Sequence, residues 1–324
     1  MSISERYKGN KAHQATALPG LCSHRQLFFV RRAALLLLAL FFILVCTGLQ
    51  PPAIAFAADN PALPAESGKE NHAAGPDRGI TWQTAHKGLE YGLIQAENSV
   101  LRVITIRINP DYYDFSLYMA SEQGASLSLE DWAKQKQLLV AINASMYLPD
   151  KKTSIGYMRS PVHTNNPHIG KGLGAFFVAS PQPEADDLPR ADILEKTHPD
   201  LQTRLARYGI CVQNYRLIDA TGSILWKEKP EFHSITAIGK DSGGNILFFM
   251  ARTPTTVAAF ARTLQNALPD LGSVMYAEGG SKAAMYLNTP GKDLFWHGLH
   301  DPWAIFAPED KLLPNVLGVK ARPR

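Results

Sequence analysis

The sequence predicts an α+β protein: mixed, strand-dominated sheets with two or more packed helices, forming a single domain after an N-terminal signal. Three observations lead to this class. Apolar stretches of strand length recur from Leu89 onward, separated by clusters of Gly, Pro, Asn and Asp. Only two segments combine a helix cap with a 3.6-residue apolar period. The first 57 residues have a composition unlike anything that follows.

In that leader, Arg31-Arg32 precede an uninterrupted apolar run from Ala33 to Cys46, and Ala55-Phe56-Ala57 follows at a distance that suits signal peptidase. Basic, apolar and small-residue regions in this order make residues 1–57 a signal peptide or an N-terminal membrane anchor; the apolar run is shorter than the ~20 residues that span a bilayer. Residues 58–79, rich in Ala, Pro, Gly, Asn and Glu without apolar period, read as a flexible linker. The folded part, residues 80–324, begins near Ile80. The expected location is exported, periplasmic or extracellular, with membrane contact only through an uncleaved N-terminal segment.

The chain has 33 Lys and Arg against 29 Asp and Glu. Residues 1–57 hold six of those bases (Arg6, Lys8, Lys11, Arg25, Arg31, Arg32) and one acid (Glu5), leaving 27 bases and 28 acids beyond them. The positive excess therefore belongs to the leader, and no basic field remains to attract nucleic acid. Two of the three cysteines, Cys22 and Cys46, also lie there. Cys211 alone cannot close a disulfide within the domain, and its apolar neighbours make it a buried small hydrophobe.

Strands are expected at Leu89–Ile94, Val100–Ile108, Phe115–Met119, Leu138–Ile142, Ala175–Ala179, Gly209–Gln213, Arg216–Ile218, Ser223–Trp226, Ile235–Ile238, Ile246–Ala251, Val274–Ala277 and Ala304–Phe306. Asp219-Ala220-Thr221-Gly222 and Asp241-Ser242-Gly243-Gly244 read as hairpin turns. The first helix has Ser128 as its cap, Asp131 at capping-box spacing and a Leu127–Trp132 staple, and runs to about Gln137. The second follows Thr253-Pro254-Thr255, places Val257, Phe260, Ala261, Leu264, Ala267 and Leu268 on one face, and stops at Pro269. Each helix leads into an apolar strand that ends on polar residues, Asn143-Ala144-Ser145-Met146-Tyr147 in one case and Glu278-Gly279-Gly280-Ser281 in the other. In mixed sheets such strand ends are where ligands gather, so the two units suggest one shared cleft.

Familiar signatures are missing. There is no Gly-x-Ser-x-Gly elbow, Ser-x-x-Lys or His-Glu-x-x-His, and His297-x-x-His300-Asp301, the one cluster with ligand-like spacing, reads as solvated loop histidines. No metal ligands are assigned and the sequence names no cofactor. Gly170-Lys171-Gly172-Leu173-Gly174 precedes a strand and not a helix, which excludes dinucleotide and Walker loops and leaves a glycine-rich loop beside a cleft.

Several stretches, in order, resemble the phosphodiester glycosidase domain family, that of the uncovering enzyme catalytic domain: AINASMY (Ala141 to Tyr147), GLGAFF (Gly172 to Phe177), CVQNYRLI (Cys211 to Ile218), HSITAIGKDSGGNILFFMA (His233 to Ala251), MYAEGGSKAAMYL (Met275 to Leu287) and PNVLGV (Pro314 to Val319). The chain departs from the family pattern at Glu278 (usually Asp), Lys282 (Ser or Pro), Asn214-Tyr215 (Ser/Thr-Gly) and His233 (Arg). The resemblance implies hydrolysis of a sugar-1-phosphodiester in envelope or extracellular glycans, with a glycan or sugar-phosphate as partner. A phosphate leaving group departs as a stable anion, so one carboxylate is needed, to stabilise the oxocarbenium-like centre or to activate water. Glu278 is the candidate, with Asn143 and Arg252 beside it as catalytic residues. His233 and the Gly279 and Gly280 amides are candidate phosphate donors. Ser145, Tyr147, Asn165 and Gln213 are candidate sugar contacts, and Ser281 and Lys282 complete the loop, Lys282 either holding a substrate anion or neutralising Glu278. The alternatives are a non-catalytic glycan-binding module in envelope or exopolysaccharide assembly, and a general glycosidase using Asp241 or Asp301 as second carboxylate.

Overall fold

The computed structural model describes residues 79–95, 100–299 and 311–323; the expected signal or anchor, the linker up to residue 78, Asp301 and the expected strand at Ala304–Phe306 lie outside them. The described chain runs through β1 (Trp82–His86), β2 (Leu89–Gln95), β3 (Arg102–Ile108) and β4 (Tyr113–Met119), then α1 (Ala120–Gln123) and α2 (Leu129–Lys136) into β5 (Val140–Asn143). Next come β6 (Met158–Arg159), β7 (Thr164–Asn166), β8 (Ala175–Pro181), β9 (Ala191–Glu195), α3 (Leu201–Ala206), β10 (Tyr208–Asn214) and β11 (Arg216–Ile218). The last part holds β12 (His233–Asp241), β13 (Ile246–Thr255), α4 (Val257–Ala267), β14 (Leu271–Gly279), a 3-10 turn (Gly280–Lys282), β15 (Ala284–Thr289), β16 (Lys292–His297) and β17 (Asn315–Ala321).

These strands form three sheets, in the orders β1-β2-β3-β13-β12-β14-β11, β7-β6-β10-β8-β9 and β16-β15-β5-β17-β4. Every pairing among the described strands is antiparallel, which corrects the expectation of mixed sheets. The helical crossovers that prompted that expectation do exist. They run from β4 through α2 to β5 and from β13 through α4 to β14, but each straddles an antiparallel strand, β17 in one case and β12 in the other. Two strands that point the same way are thus never neighbours.

Side-chain alternation sorts each central strand between two apolar clusters. On β13, Ile246, Phe248 and Met250 enter a central core while Leu247, Phe249 and Ala251 face a second cluster beneath α4. On β5, Val140 and Ile142 are central and Ala141 packs under α2; on β8, Phe177 is central and Phe176 lies with the α3 residues Leu201 and Leu205. All three sheets therefore share one core, and each has a helix on its outer face. Burial on both faces explains why these strands read as continuous apolar runs.

The helix signals act as expected. Ser128 Oγ accepts from the Asp131 amide at 3.1 Å, and Trp132 sits in the α2 cluster with Leu127. Thr256 caps α4 by accepting from the Ala259 amide at 3.2 Å. Both expected turns form, with the Gly222 and Gly244 amides returning to Asp219 and Asp241. Both glycines sit at φ 82°, which a side chain would strain. Ser223–Trp226 is corrected: it makes only an isolated bridge, Ile224 to Ile218, because Ile218 already ends the edge strand beside it. Cys211 is fully buried on the α3 side of its sheet, which pushes its thiol pKa up. Among the described residues no helix is long and apolar enough to cross a membrane.

Candidate active site

The ends of β5 and β14 meet. Asn143, the last residue of β5, is buried, its Nδ2 donating to the Lys282 carbonyl at 2.7 Å and its Oδ1 accepting from the Ala284 amide at 2.6 Å. Its carboxamide thus clamps the backbone where the 3-10 turn enters β15. One N–H and one lone pair are held by main chain, which makes Asn143 a clamp on the loop that carries Glu278.

Glu278 is 6 % exposed at the end of β14. In the pairing of β14 with β12, Met275 lies opposite Ile238, Tyr276 opposite Ala237, Glu278 opposite Thr236 and Gly279 opposite Ile235; Ala277 has no opposite number and forms a β-bulge. Ile235 and Ala237 belong to the α4 cluster, and Ile238 to the central core, so Thr236 and its partner Glu278 face the central side. Without the extra residue, Glu278 would share the α4 face with Val274 and Tyr276. Gly279 lies on that α4 face, where an added Cβ would stand 2.1 Å from Tyr276 Oη.

The Glu278 carboxylate accepts from the Gly279 amide at 2.9 Å. Burial raises its pKa to about 7, with the Gly279 amide and the Lys282 charge pulling the other way. The Gly279 amide is therefore engaged by the carboxylate. Lys282 also donates through Nζ to the Leu312 carbonyl at 3.0 Å. Behind the bulge, Tyr276 stacks on Trp226 and its hydroxyl lies 3.2 Å from His233 Nε2. Half-buried, His233 has its pKa depressed by lost solvation.

A second group of contacts closes the rim. Arg252 Nε donates to the His297 carbonyl at 3.2 Å, Ser234 Oγ donates to the Arg252 carbonyl, and the Leu299 amide donates back to Ser234 Oγ at 2.9 Å. A Cβ at Gly298 would stand 1.9 Å from the Gly280 carbonyl. Thus β12, β13, β16 and the 3-10 turn converge next to Glu278. Arg252 lies inside β13, which continues to Thr255, so it neither ends the strand nor abuts the start of α4. His297 ends β16 with Nε2 2.8 Å from Glu130 on α2, which corrects the solvated-loop reading for this residue; His300 lies outside the described residues.

The four expected sugar contacts part ways. Fully buried Gln213 accepts through Oε1 from the Tyr157 and Gly170 amides and donates through Nε2 to the Gly170 and Leu173 carbonyls. That exhausts its donors and lone pairs, so it is corrected to the residue that holds the glycine loop. Lys196 Nζ sits 2.8 Å from the Gly170 and Lys171 carbonyls, so this loop presents oxygens to a cation, the reverse of an anion cradle. Asn165 is likewise committed, to the Ser154 amide, Ser121 Oγ and the Lys152 carbonyl. Ser145 shares a hydroxyl contact with Ser154 at 3.0 Å, and its amide donates to Asn315 Oδ1 at 2.9 Å, which braces the loop after β5. Half-buried Tyr147 bridges Ser154 in that loop.

The structure thus gathers Glu278, Gly279, Gly280, Ser281 and Lys282 on one loop clamped by Asn143. Arg252 reaches it through His297 and Gly298, and His233 through Tyr276. Ser145 and Tyr147 sit on the loop that continues from Asn143, while Asn165 and Gln213 are committed farther along the chain. Sequence reasoning missed Ser234, Gly298 and Asn214; the one trace was that Asn214 departs from the pattern the chain resembles. Among the described residues no three His, Cys, Asp or Glu side chains gather as a metal site.

Comparison with known proteins follows the same contours. A family profile described as phosphodiester glycosidase matches residues 136–320. A comparison with curated proteins found no match. Among solved structures, the catalytic domain of zebrafish N-acetylglucosamine-1-phosphodiester alpha-N-acetylglucosaminidase, auto-inhibited by its pro-peptide, is similar with a TM-score of 0.54 and 14% identity, over 75% of this chain and 88% of that one. A hypothetical protein from Synechocystis is similar with a TM-score of 0.52 and 13% identity, over 75% of this chain and 64% of that one. At such identities the likeness is one of fold.

Proposed function

We propose that this chain, which belongs to the phosphodiester glycosidase family, is an exported hydrolase that cleaves the glycosidic bond of a sugar-1-phosphodiester in envelope or extracellular glycans. The observation that carries the reading is Glu278, a buried carboxyl with a pKa near 7 at a glycine-flanked strand end within the family match. Groups with displaced pKa values at such ends are suited to proton transfer and charge stabilisation near neutrality. Export is supported by the basic, apolar and small-residue order of residues 1–57.

In this reaction the bond from the anomeric carbon to the phosphate oxygen breaks, water supplies the new hydroxyl, and the phosphomonoester leaves as an anion. Because that leaving group needs no proton, Glu278 acts as the carboxylate, stabilising the oxocarbenium-like centre or taking the proton of the attacking water. Arg252 and Lys282, with the Gly280 and Ser281 amides, face the phosphate. His233, held neutral by burial, contributes a hydrogen bond, and Ser145 and Tyr147 border the sugar. Asn143 keeps the loop in register.

A neutral-glycoside hydrolase needs a second carboxyl about 5–9.5 Å from the first. Asp241 pairs opposite Leu271, five residues along β12 from Thr236, which puts it about 17 Å away at the usual strand rise. It also accepts hydrogen bonds from Asn245. This removes Asp241 as the second carboxyl, while Asp301 lies outside the described residues; the family match favours the phosphodiester reading.

The test is release of free sugar from a sugar-1-phosphodiester by the full chain and by Glu278→Gln. Turnover by the native protein, lost in the variant with binding kept, supports the proposal. Glycan binding with turnover by neither protein would favour a non-catalytic module, and activity on neutral aryl glycosides would favour a general glycosidase.

A further inference from the structure

Resting on the reading of Glu278 as the reacting carboxyl, we propose that Asn214 is its positioning residue: the Asn214 side chain holds the bulge that turns Glu278 to the central side of the sheet. The argument begins at the edge of β14. Strand β11 pairs with β14 only from Arg216, opposite Met275, so beyond that point β14 loses its strand neighbour on this side. Two groups take the neighbour's place. The Tyr276 amide donates to the Tyr215 carbonyl at 2.9 Å, and Asn214 Nδ2 donates to the Ala277 carbonyl at 2.9 Å.

Ala277 is the bulged residue, the one without a partner on β12. A bulge leaves ladder groups unpaired, and a buried carbonyl without a donor is costly. Asn214 is fully buried, and its Oδ1 is itself fixed by the Tyr215 amide at 2.8 Å, so the carboxamide has one orientation and aims its donor at Ala277. The link joins β10, in the five-stranded sheet capped by α3, to the seven-stranded sheet one residue before Glu278. Were the bulge to relax into a regular ladder, side-chain alternation would carry Glu278 to the α4 face beside Tyr276, and Gly279 to the central face. The carboxyl would then stand on the wrong side of its own sheet. Lys282 and Tyr276 are the titratable neighbours that register the Glu278 charge in the present arrangement.

The experiment compares the native full-length chain with Asn214→Ala and the near-isosteric Asn214→Leu, which offers the Ala277 carbonyl no donor and adds no titratable group. Three quantities are read: the carbon-13 titration of the Glu278 carboxyl, identified by its disappearance in Glu278→Gln; kcat and KM on a sugar-1-phosphodiester; and thermal unfolding. The expected result is a Glu278 titration displaced by about one pH unit or more in both variants. Turnover falls roughly 100-fold, as misplacement of a reacting group by about an ångström does, while KM changes less. Variants that unfold at lower temperature yet keep the native titration and kcat would overturn the proposal, since a merely structural asparagine behaves that way. If the native protein turns over no sugar phosphodiester, the functional reading fails and the titration alone decides the positioning role. Should Asn214→Ala not fold, Asn214→Leu carries the test.

Discussion

Two units of this molecule share one plan and do different work. In both, a strand passes through a helix to a second strand that runs the same way, with an antiparallel strand inserted between them: β4, α2 and β5 around β17, and β13, α4 and β14 around β12. Both second strands end on a buried polar residue, Asn143 and Glu278. The carboxamide of Asn143 is neutral, and both its ends find main-chain partners. The carboxyl of Glu278, turned by a bulge, meets a single adjacent amide and a neighbouring lysine, so its ionisation stays close to balance near neutral pH. The difference teaches that the plan of the strand end does not make it reactive. What matters is whether the polar group can gain and lose a proton, and the neutral carboxamide here grips the loop of the ionisable carboxyl.

The largest expected effect tests that division directly. Glu278→Gln should lower turnover at least ~100-fold with binding retained, as loss of a group active in proton transfer does. An Asn143→Ala variant that lost turnover as severely while staying as stable as the native chain would break the comparison. The expected outcome for Asn143→Ala is instead a stability loss of roughly 2–4 kcal/mol, read by denaturant unfolding, because the Lys282 carbonyl and the Ala284 amide lose their partner.

Acidity gives the next contrast. Burial holds Glu278 near 7 in the folded chain against an ordinary 4.5, so the native protein sheds stability as pH rises from 4.5 through 7, whereas Glu278→Gln does not. The variant should match the native chain below pH 4.5 and exceed it by roughly 3 kcal/mol above pH 7, measured by unfolding across that range. Gly279→Ala should cost about 1–3 kcal/mol through the clash with Tyr276 Oη, a cost with no counterpart at the β5 end. The smallest effect belongs to Lys282→Met. If Glu278 works ionised, kcat/KM rises with pH through about 7, and loss of the lysine charge should move that limb upward by less than about one unit.

Much of the fold was legible because its signals are local. Ser128 caps the helix it was expected to cap, the apolar face from Val257 to Ala267 packs as its period demanded, and the Asp219 and Asp241 turns close on their glycines. Strands such as β1 and β7 escaped notice because Trp82-Gln-Thr-Ala-His86 and Thr164-Asn-Asn166 lie at sheet edges and carry little apolar pattern. At the site, Glu278 between glycines was conspicuous. Gln213, Asn165 and Asn143 drew attention for their chemistry, but main chain takes all of the hydrogen-bonding capacity of Gln213 and part of that of Asn165 and Asn143.

The sequence by itself determined where α2 and α4 start and stop, which of their faces are apolar, and that an acid stands at the end of a core strand. Caps, turns and periodicity depend on residues a few positions apart, so they can be read along the chain. Only the tertiary structure decided which side of the sheet that acid faces and which polar residues remain available. Those outcomes rest on hydrogen bonds reaching 43 residues from Gln213 to Gly170, 63 from Asn214 to Ala277 and 139 from Asn143 to Lys282. A buried donor or acceptor takes whatever partner the packed fold brings within about 3 Å, and sequence distance does not say which partner that is.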